Sequence, residues 1–248
     1  MKFAIDMYSN LIEGGGKMKK VALVTGAAAG IGQAIALELA KAGYLVYANA
    51  RSEKKLAQTL EMGKEYDMKP LIFDVCDVKT VKQRISELVN DAGVSIKNKP
   101  LKDFDENDWD LTLSTNVKGY FFVAKYALEK MSKGSCIINM SSGAAKTGGD
   151  FVSIPYSTSK GAINSLTVSL ARELAKVGIR VNAVSPGFVD TAMLEVNGLP
   201  TEYYNSVIPI GRVGTALDIA NMVVYLASDK AGFITGQIIE VNGGDIMG

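Results

Sequence analysis

The chain has 248 residues, 48% of them hydrophobic, and 27 Lys and Arg against 26 Asp and Glu leave a net charge of +1. That is enough apolar material for one large core, and an even balance without a basic block leaves no electrostatic case for nucleic acid as a partner. Histidine is absent, which excludes Ser-His-Asp chemistry, His-ligated metals and a His general base together; proton transfer falls to Tyr, Lys, Asp, Glu, Ser or Cys.

Residues 1–17 end in Gly14-Gly15-Gly16-Lys17, ahead of a second methionine, Met18. They read as a flexible extension outside the fold, with 18–248 as one catalytic domain. No apolar run approaches the ~20 residues of a membrane span, and the first residues lack a signal-peptide core. Cys76 and Cys136 each sit in an apolar, strand-like run without zinc spacing. They read as buried thiols of a reducing, cytoplasmic compartment, and no metal site is expected.

From Lys19 onward strands and helices alternate. Val21–Thr25 is an uninterrupted apolar run, as expected of a parallel strand covered on both faces. Ile31, Ile35, Leu39 and Ala42 then recur at helical spacing, and Gly43 supplies a stop. Tyr44–Ala48 is a second strand, Glu53–Tyr66 a helix and Pro70–Asp74 a third strand. Leu111–Met131 reads as one long helix, Ser135–Met140 as a strand, Tyr156–Val177 as a helix and Arg180–Ser185 as a strand ending at Pro186-Gly187. Val189–Arg212, with Pro200 and Pro209, has weak periodicity and the look of a flap. Leu217–Ala227 and Gln237–Val241 close the chain as helix and strand. This is the pattern of a single-domain, Rossmann-like α/β fold with a doubly wound parallel sheet.

The run Thr25-Gly26-Ala27-Ala28-Ala29-Gly30-Ile31-Gly32 lies where the first strand becomes the first helix. Glycines there permit a tight turn, let a pyrophosphate approach the backbone, and leave the helix amides free to face it. After the second strand the text is Asn49-Ala50-Arg51-Ser52. It has no carboxylate for a ribose 2′-hydroxyl, and Arg51 offers a fork for a 2′-phosphate, which favours NADP over the alternative, NAD.

Tyr156 and Lys160 are four apart and share a helix face. A Lys charge near a phenol favours the phenolate and makes Tyr usable as an acid or base. Alone, the pair equally describes an ordinary surface contact.

Taken together, these motifs resemble the short-chain dehydrogenase/reductase family, and within it 3-oxoacyl-acyl carrier protein reductases and their sugar or alcohol dehydrogenase relatives. The resemblance covers residues 18–248. It implies a cofactor turn at Gly26, Gly30, Ile31 and Gly32, an adenine contact at Asp74-Val75, and a helix-borne Asn116. It also implies a catalytic set of Ser142, Tyr156 and Lys160, and a nicotinamide-holding segment at Pro186, Gly187, Val189 and Thr191. Ile234–Gln237 and Val241–Gly244 match the family's usual ending. The implied reaction is hydride transfer between a nicotinamide and a carbonyl or alcohol carbon. Tyr156 exchanges the proton, Lys160 holds the ribose and lowers the Tyr156 pKa, Ser142 bonds the substrate oxygen, and Asn116 anchors a water relay. Ser141, adjacent, is the other candidate for the serine; the family's pattern favours the second of such a pair. A small carbonyl or alcohol substrate, acyl carrier protein-linked or free, and a homotetramer are implied by the same likeness. A non-catalytic nucleotide-binding protein of the same fold and an NAD-linked sugar or alcohol dehydrogenase are the competing readings.

In one region the chain departs from the pattern. The family has a crossover helix and then a fourth strand ending in Asn-Asn-Ala-Gly, whereas Asp74 to Gly93 is about ten residues too short for both. Either Val78, Val81, Ile85 and Leu88 form the helix and the strand is missing, or Ile85–Val89 is the strand and Ala92 and Gly93 line the cofactor site. Apolar spacing favours the helix. Backbone pairing favours a strand, because an empty central slot leaves two neighbours with unpaired groups at ~1 to 3 kcal/mol each. The reading we favour is that a segment between Asn90–Gly93 and a following Asn-Asn-Ala-Gly is missing, giving an anomalous connection near Ala92.

Overall fold

The computed structural model describes residues 4–7, 20–85, 95–149, 151–195 and 199–247. In chain order the elements are β1 (Ala4–Met7), β2 (Val21–Val24), α1 (Gly30–Lys41), β3 (Leu45–Ala50), α2 (Glu53–Met62), β4 (Met68–Ile72) and α3 (Val78–Ile85). Next come α4 (Glu106–Leu113), α5 (Gly119–Ala127), β5 (Cys136–Met140), α6 (Ala144–Thr147), α7 (Ile154–Leu174) and β6 (Arg180–Pro186). The chain closes with α8 (Ala192–Glu195), α9 (Thr201–Val207), α10 (Ala216–Ala227) and β7 (Ile238–Val241).

Seven strands form one sheet in the order β4-β3-β2-β1-β5-β6-β7. β2 to β3, β3 to β4, β5 to β6 and β6 to β7 pair in parallel, the doubly wound arrangement expected. Alternation along each strand splits the apolar side chains between two cores. Ala22, Val24, Ile138 and Met140 face α1 and α10. Val21, Leu23, Ile137 and Val181 face the layer of α5 and α7. Both faces are buried, which is why these strands are continuous apolar runs.

The sheet corrects the reading of residues 1–17 as an extension outside the fold. Ala4–Met7 lies between β2 and β5 and is antiparallel to both, with Ala4 opposite Val24 and Ile138, and Asp6 opposite Ala22 and Cys136. This is the slot where the family's fourth strand was expected. The demand for backbone partners was read correctly and its supplier was not: an extended tetrapeptide from the other end of the domain meets it, in the opposite direction.

Val78–Ile85 is helical, so the helix reading holds over those residues and a strand beginning at Ile85 does not. Positions 86–94, with Leu88, Ala92, Gly93 and the expected connection near Ala92, lie outside the described residues. The long helix expected over Leu111–Met131 is four consecutive segments: α4, a π-helical turn at Ser114–Lys118, α5, and a 3-10 turn at Leu128–Lys130. The flap carries two short helices, α8 and α9, and its own apolar cluster of Tyr204, Ile208 and Val213 with Phe188, Leu194 and Leu199. Among the described residues no helix is long and apolar enough to cross a membrane, and no group of His, Cys, Asp and Glu is placed to hold a metal.

Candidate active site

At the carboxyl end of β2, Gly26 and Gly30 adopt φ of +60° and +56°, values that L side chains rarely take. The turn is tied down by Ala27 N donating to Asn49 O at 2.9 Å. α1 then starts at Gly30 after Ala29, with no side chain capping it and no acidic residue in its first turn. An N-terminus left uncapped, at the end of a buried strand, fits a bound pyrophosphate. Ile31 and Gly32 lie in its first turn.

Beyond β3, Arg51 is exposed, and its charge is felt at Cys76, whose thiol is pushed up mainly by burial and pulled back in part by Thr115 and Arg51. Arg51 and Asp74-Val75-Cys76 therefore share one corner. Asp74 accepts from Cys76 N at 2.9 Å. Val75 is buried, and a Cβ on Gly119 would stand 3.3 Å from its side chain, so glycine at 119 lets α5 close on this corner. Cys76 lies in this turn after β4, bonded to Thr115, and not in a strand as its sequence suggested. Cys136 is buried in β5.

The catalytic candidates converge where β5 meets α7. Ser153 caps α7 by accepting from Tyr156 N, which seats Tyr156 in the first turn. The Tyr156 side chain is buried, and burial pushes its phenol up to about 12 against the lowering effect of a hydrogen bond with Ser142. The expected lowering by Lys160 is not found. The Lys160 ammonium is buried, donates to Met140 O at 3.1 Å, and stands 5.3 Å from the centre of the Tyr156 ring, turned toward the strand and over the ring face. Desolvation is then the larger effect on the phenol.

The two serines differ. Ser142 is partly exposed and pulls the phenol back down, whereas Ser141 is buried and donates to Asn164 Oδ1 at 2.6 Å. Asn116 sits in the π-helical turn, fully buried, and its Nδ2 donates to Ser159 Oγ at 3.0 Å. Ser159 Oγ donates in turn to Tyr156 O at 2.7 Å. Sequence reasoning did not single out Ser159, although it lies three residues from Tyr156 on the same helix face. It also missed Tyr120, whose buried ring lies 5.8 Å from the Lys160 ammonium. A π-helical turn widens the helix by one residue and commonly marks a functional site; here it brings Asn116 to α7.

Pro186 and Gly187 end β6 beside the same site. Gly143 N donates to Pro186 O, and Gly187 N to Val241 O. A Cβ on Gly187 would come within 2.9 Å of the Asn242 backbone, so this position needs glycine. Val189 bridges to Gly214 and is buried, and Thr191 Oγ1 reaches Val189 O as α8 begins. Among the described residues, the expected set thus lies along the carboxyl edge of the sheet, where open α/β sheets bind their ligands.

Comparison with known proteins agrees with this geometry. The family model described as enoyl-(acyl carrier protein) reductase matches residues 26–245. The 3-oxoacyl-[acyl-carrier-protein] reductase FabG of Staphylococcus aureus is 40% identical over 247 positions, covering 93% of this chain and all of that one. The chain belongs to the short-chain dehydrogenase/reductase family of oxidoreductases. Within that family it is most like the FabG reductases. The short-chain dehydrogenase/reductase of Brucella melitensis, glucose/ribitol dehydrogenase, superposes with a TM-score of 0.84 at 31% identity, over 92% of this chain and 96% of that one. A blue fluorescent protein from a metagenomic library, solved with NADPH, gives 0.84 at 29% identity, over 92% and 98%. Because 247 aligned positions take in only 93% of 248 residues, the S. aureus reductase carries a stretch this chain lacks.

Proposed function

We propose that the protein reduces the ketone of a 3-oxoacyl thioester, or a related ketone, to a secondary alcohol with NADPH. The observation that carries this is the buried Tyr156 phenol, under the influence of the Ser142 hydroxyl and with the Lys160 ammonium 5.3 Å from its ring. Bound at the glycine turn, the nicotinamide cofactor would supply the hydride. A phenol held at about 12 stays protonated at neutral pH and is a donor ready to neutralise an alkoxide. Ser142 bonds the same oxygen as charge develops there. Lys160 would hold the ribose hydroxyls, and Asn116 with Ser159 would anchor the proton resupply. Gly26, Gly30, Ile31 and Gly32 would hold the phosphates, Asp74 and Val75 the adenine, and Pro186, Gly187, Val189 and Thr191 the nicotinamide.

Arg51, with no carboxylate at the end of β3, supports NADP over NAD. A buried Cys136 and a half-buried Cys76 suit a reducing cytoplasm. Exposed Trp109, Leu111, Phe121 and Val168 on α4, α5 and α7 support a homotetramer, which light scattering tests.

The relatives' descriptions name two reactions, reduction of an enoyl and of a 3-oxoacyl group. Ser142 and Tyr156 converge on one oxygen, which suits a carbonyl whose own carbon takes the hydride. Acetoacetyl and crotonyl thioesters, each offered with NADPH and NADH, form the test. Turnover of the acetoacetyl thioester with NADPH is expected. Consumption of the crotonyl thioester alone would overturn the carbonyl reading, and cofactor binding without any turnover would favour a non-catalytic binding protein. Preference for NADH with sugars or simple alcohols would favour the dehydrogenase alternative.

A further inference from the structure

β5 and α7 meet through a ladder of polar side chains that the chemistry above does not use. Asn139 and Ser141 are alternate residues of the β5 run, so both point to the α7 face of the sheet. Asn139 Nδ2 donates to Thr167 Oγ1 at 2.7 Å, and Ser141 Oγ donates to Asn164 Oδ1 at 2.6 Å. Thr167 also donates to Ile163 O within the helix. Asn139, Ser141 and Thr167 are all at or below 1% exposed. At the same end of the seam lie Ser142 and Tyr156, whose raised phenol the Ser142 hydroxyl pulls back in part.

Lys160 Nζ adds a bond to Met140 O, and the apolar contacts of α7 with this face of the core run through Ile163, Ala171 and Leu174. Such contacts tolerate small slides, whereas a short hydrogen bond between two fixed side chains does not. We propose that Asn164, paired with Ser141, is a positioning residue for proton transfer: it sets the register of α7 on β5 that brings the Tyr156 phenol to the Ser142 hydroxyl. Asn164 lies one turn beyond Lys160 and two beyond Tyr156, so a small rotation of α7 about its axis moves all three together. The inference rests on the reading of Tyr156 and Ser142 as the reacting pair.

The test compares Asn164→Leu, Ser141→Ala, Ser141→Thr and the double variant S141A/N164L with the parent protein. Asn164→Leu and Ser141→Ala are each expected to lower kcat by ~10- to 10²-fold, the scale of a displacement on the order of 1 Å at a reacting centre. NADPH affinity should stay within about threefold. In alcohol oxidation, where Tyr156 takes the proton, the rising limb of the pH profile should move to higher pH, because the phenol loses the lowering influence of Ser142. Ser141→Thr keeps the hydroxyl and should return kcat to within about threefold of the parent.

Should either single variant fail to fold, the double variant carries the test, since it removes both members of the Ser141–Asn164 pair. Folded variants with the parent's kcat and pH profile, or with a raised KM alone, would overturn the proposal. Tyr156→Phe run alongside separates two failures. Retained turnover there sinks the proton-transfer reading, whereas loss there with full turnover in Asn164→Leu sinks only the positioning role.

Discussion

The seam between β5 and α7 and the slot between β2 and β5 are adjacent, and they are specified in opposite ways. At the seam every rung is a named side chain, Asn139 to Thr167 and Ser141 to Asn164, with Ser142 and Tyr156 at its reacting end. At the slot the structure gives a backbone ladder, in which Ala4–Met7 pairs on both sides. A hydrogen-bonded seam admits few sequences, whereas a backbone slot accepts any extended segment that can reach it. Chemistry is therefore legible as a motif, and the strand that completes the sheet is not.

Breaking the seam at its reacting end should have the largest effect. Tyr156→Phe keeps the ring and removes the proton, so turnover should fall by ~10² or more while NADPH binding is kept, as steady-state kinetics and cofactor titration would show. Unchanged turnover would remove Tyr156 from the chemistry.

Breaking the slot should cost stability. Ile5→Pro removes a ladder donor between two strands and should lower unfolding free energy by about 2 kcal/mol, read from denaturant titration. An unchanged midpoint would mean that β1 does not hold the sheet together. At the cofactor corner, Arg51→Ala should weaken NADPH binding by about tenfold and leave NADH binding nearly unaltered, a difference that fluorescence titration resolves.

The pH dependence sharpens the contrast further. The folded Tyr156 phenol, at about 12 against an ordinary 10.0, holds its proton more tightly than the unfolded chain does. Its contribution to stability is complete below the unfolded value and is lost as pH rises through the folded one. Melting temperatures at about pH 9 and about pH 11 should therefore diverge less in Tyr156→Phe than in the parent.

The smallest effect is expected away from both regions. The Arg212 fork meets Asp218 at 2.8 and 3.0 Å and holds its carboxyl well below the usual carboxylate range. Asp218 also completes the capping box of α10 with Thr215. The pair is largely exposed, so Asp218→Asn should cost at most ~1 kcal/mol, lost from the parent as pH falls below the ordinary aspartate range.

Most strands and helices were legible because buried parallel strands must be continuous apolar runs and a helix must repeat its apolar face; Val21–Val24 and Gly30–Lys41 show both signals. Asn116, Ser142, Tyr156 and Lys160 were found as motif positions, and the structure brings them to one place. What escaped had no periodic signature. Ala4–Met7 is too short to alternate, and its role comes from the edges it meets. The π-helical turn at Ser114–Lys118 shifts the helix by one residue without altering its composition. The raised phenol of Tyr156 depends on where the Lys160 ammonium points, which spacing along a helix does not fix.

The antiparallel strand also orders events in folding. The slot that Ala4 occupies has one wall at Val24 and the other at Ile138, so it does not exist until chain from both halves of the domain has come together. A segment made early must wait for a partner made much later, the kind of non-local pairing that slows folding and leaves strand edges open in the interval. A fusion placed ahead of Ala4 would therefore act on the middle of the sheet, and refolding rate, more than final activity, is where its influence would be felt.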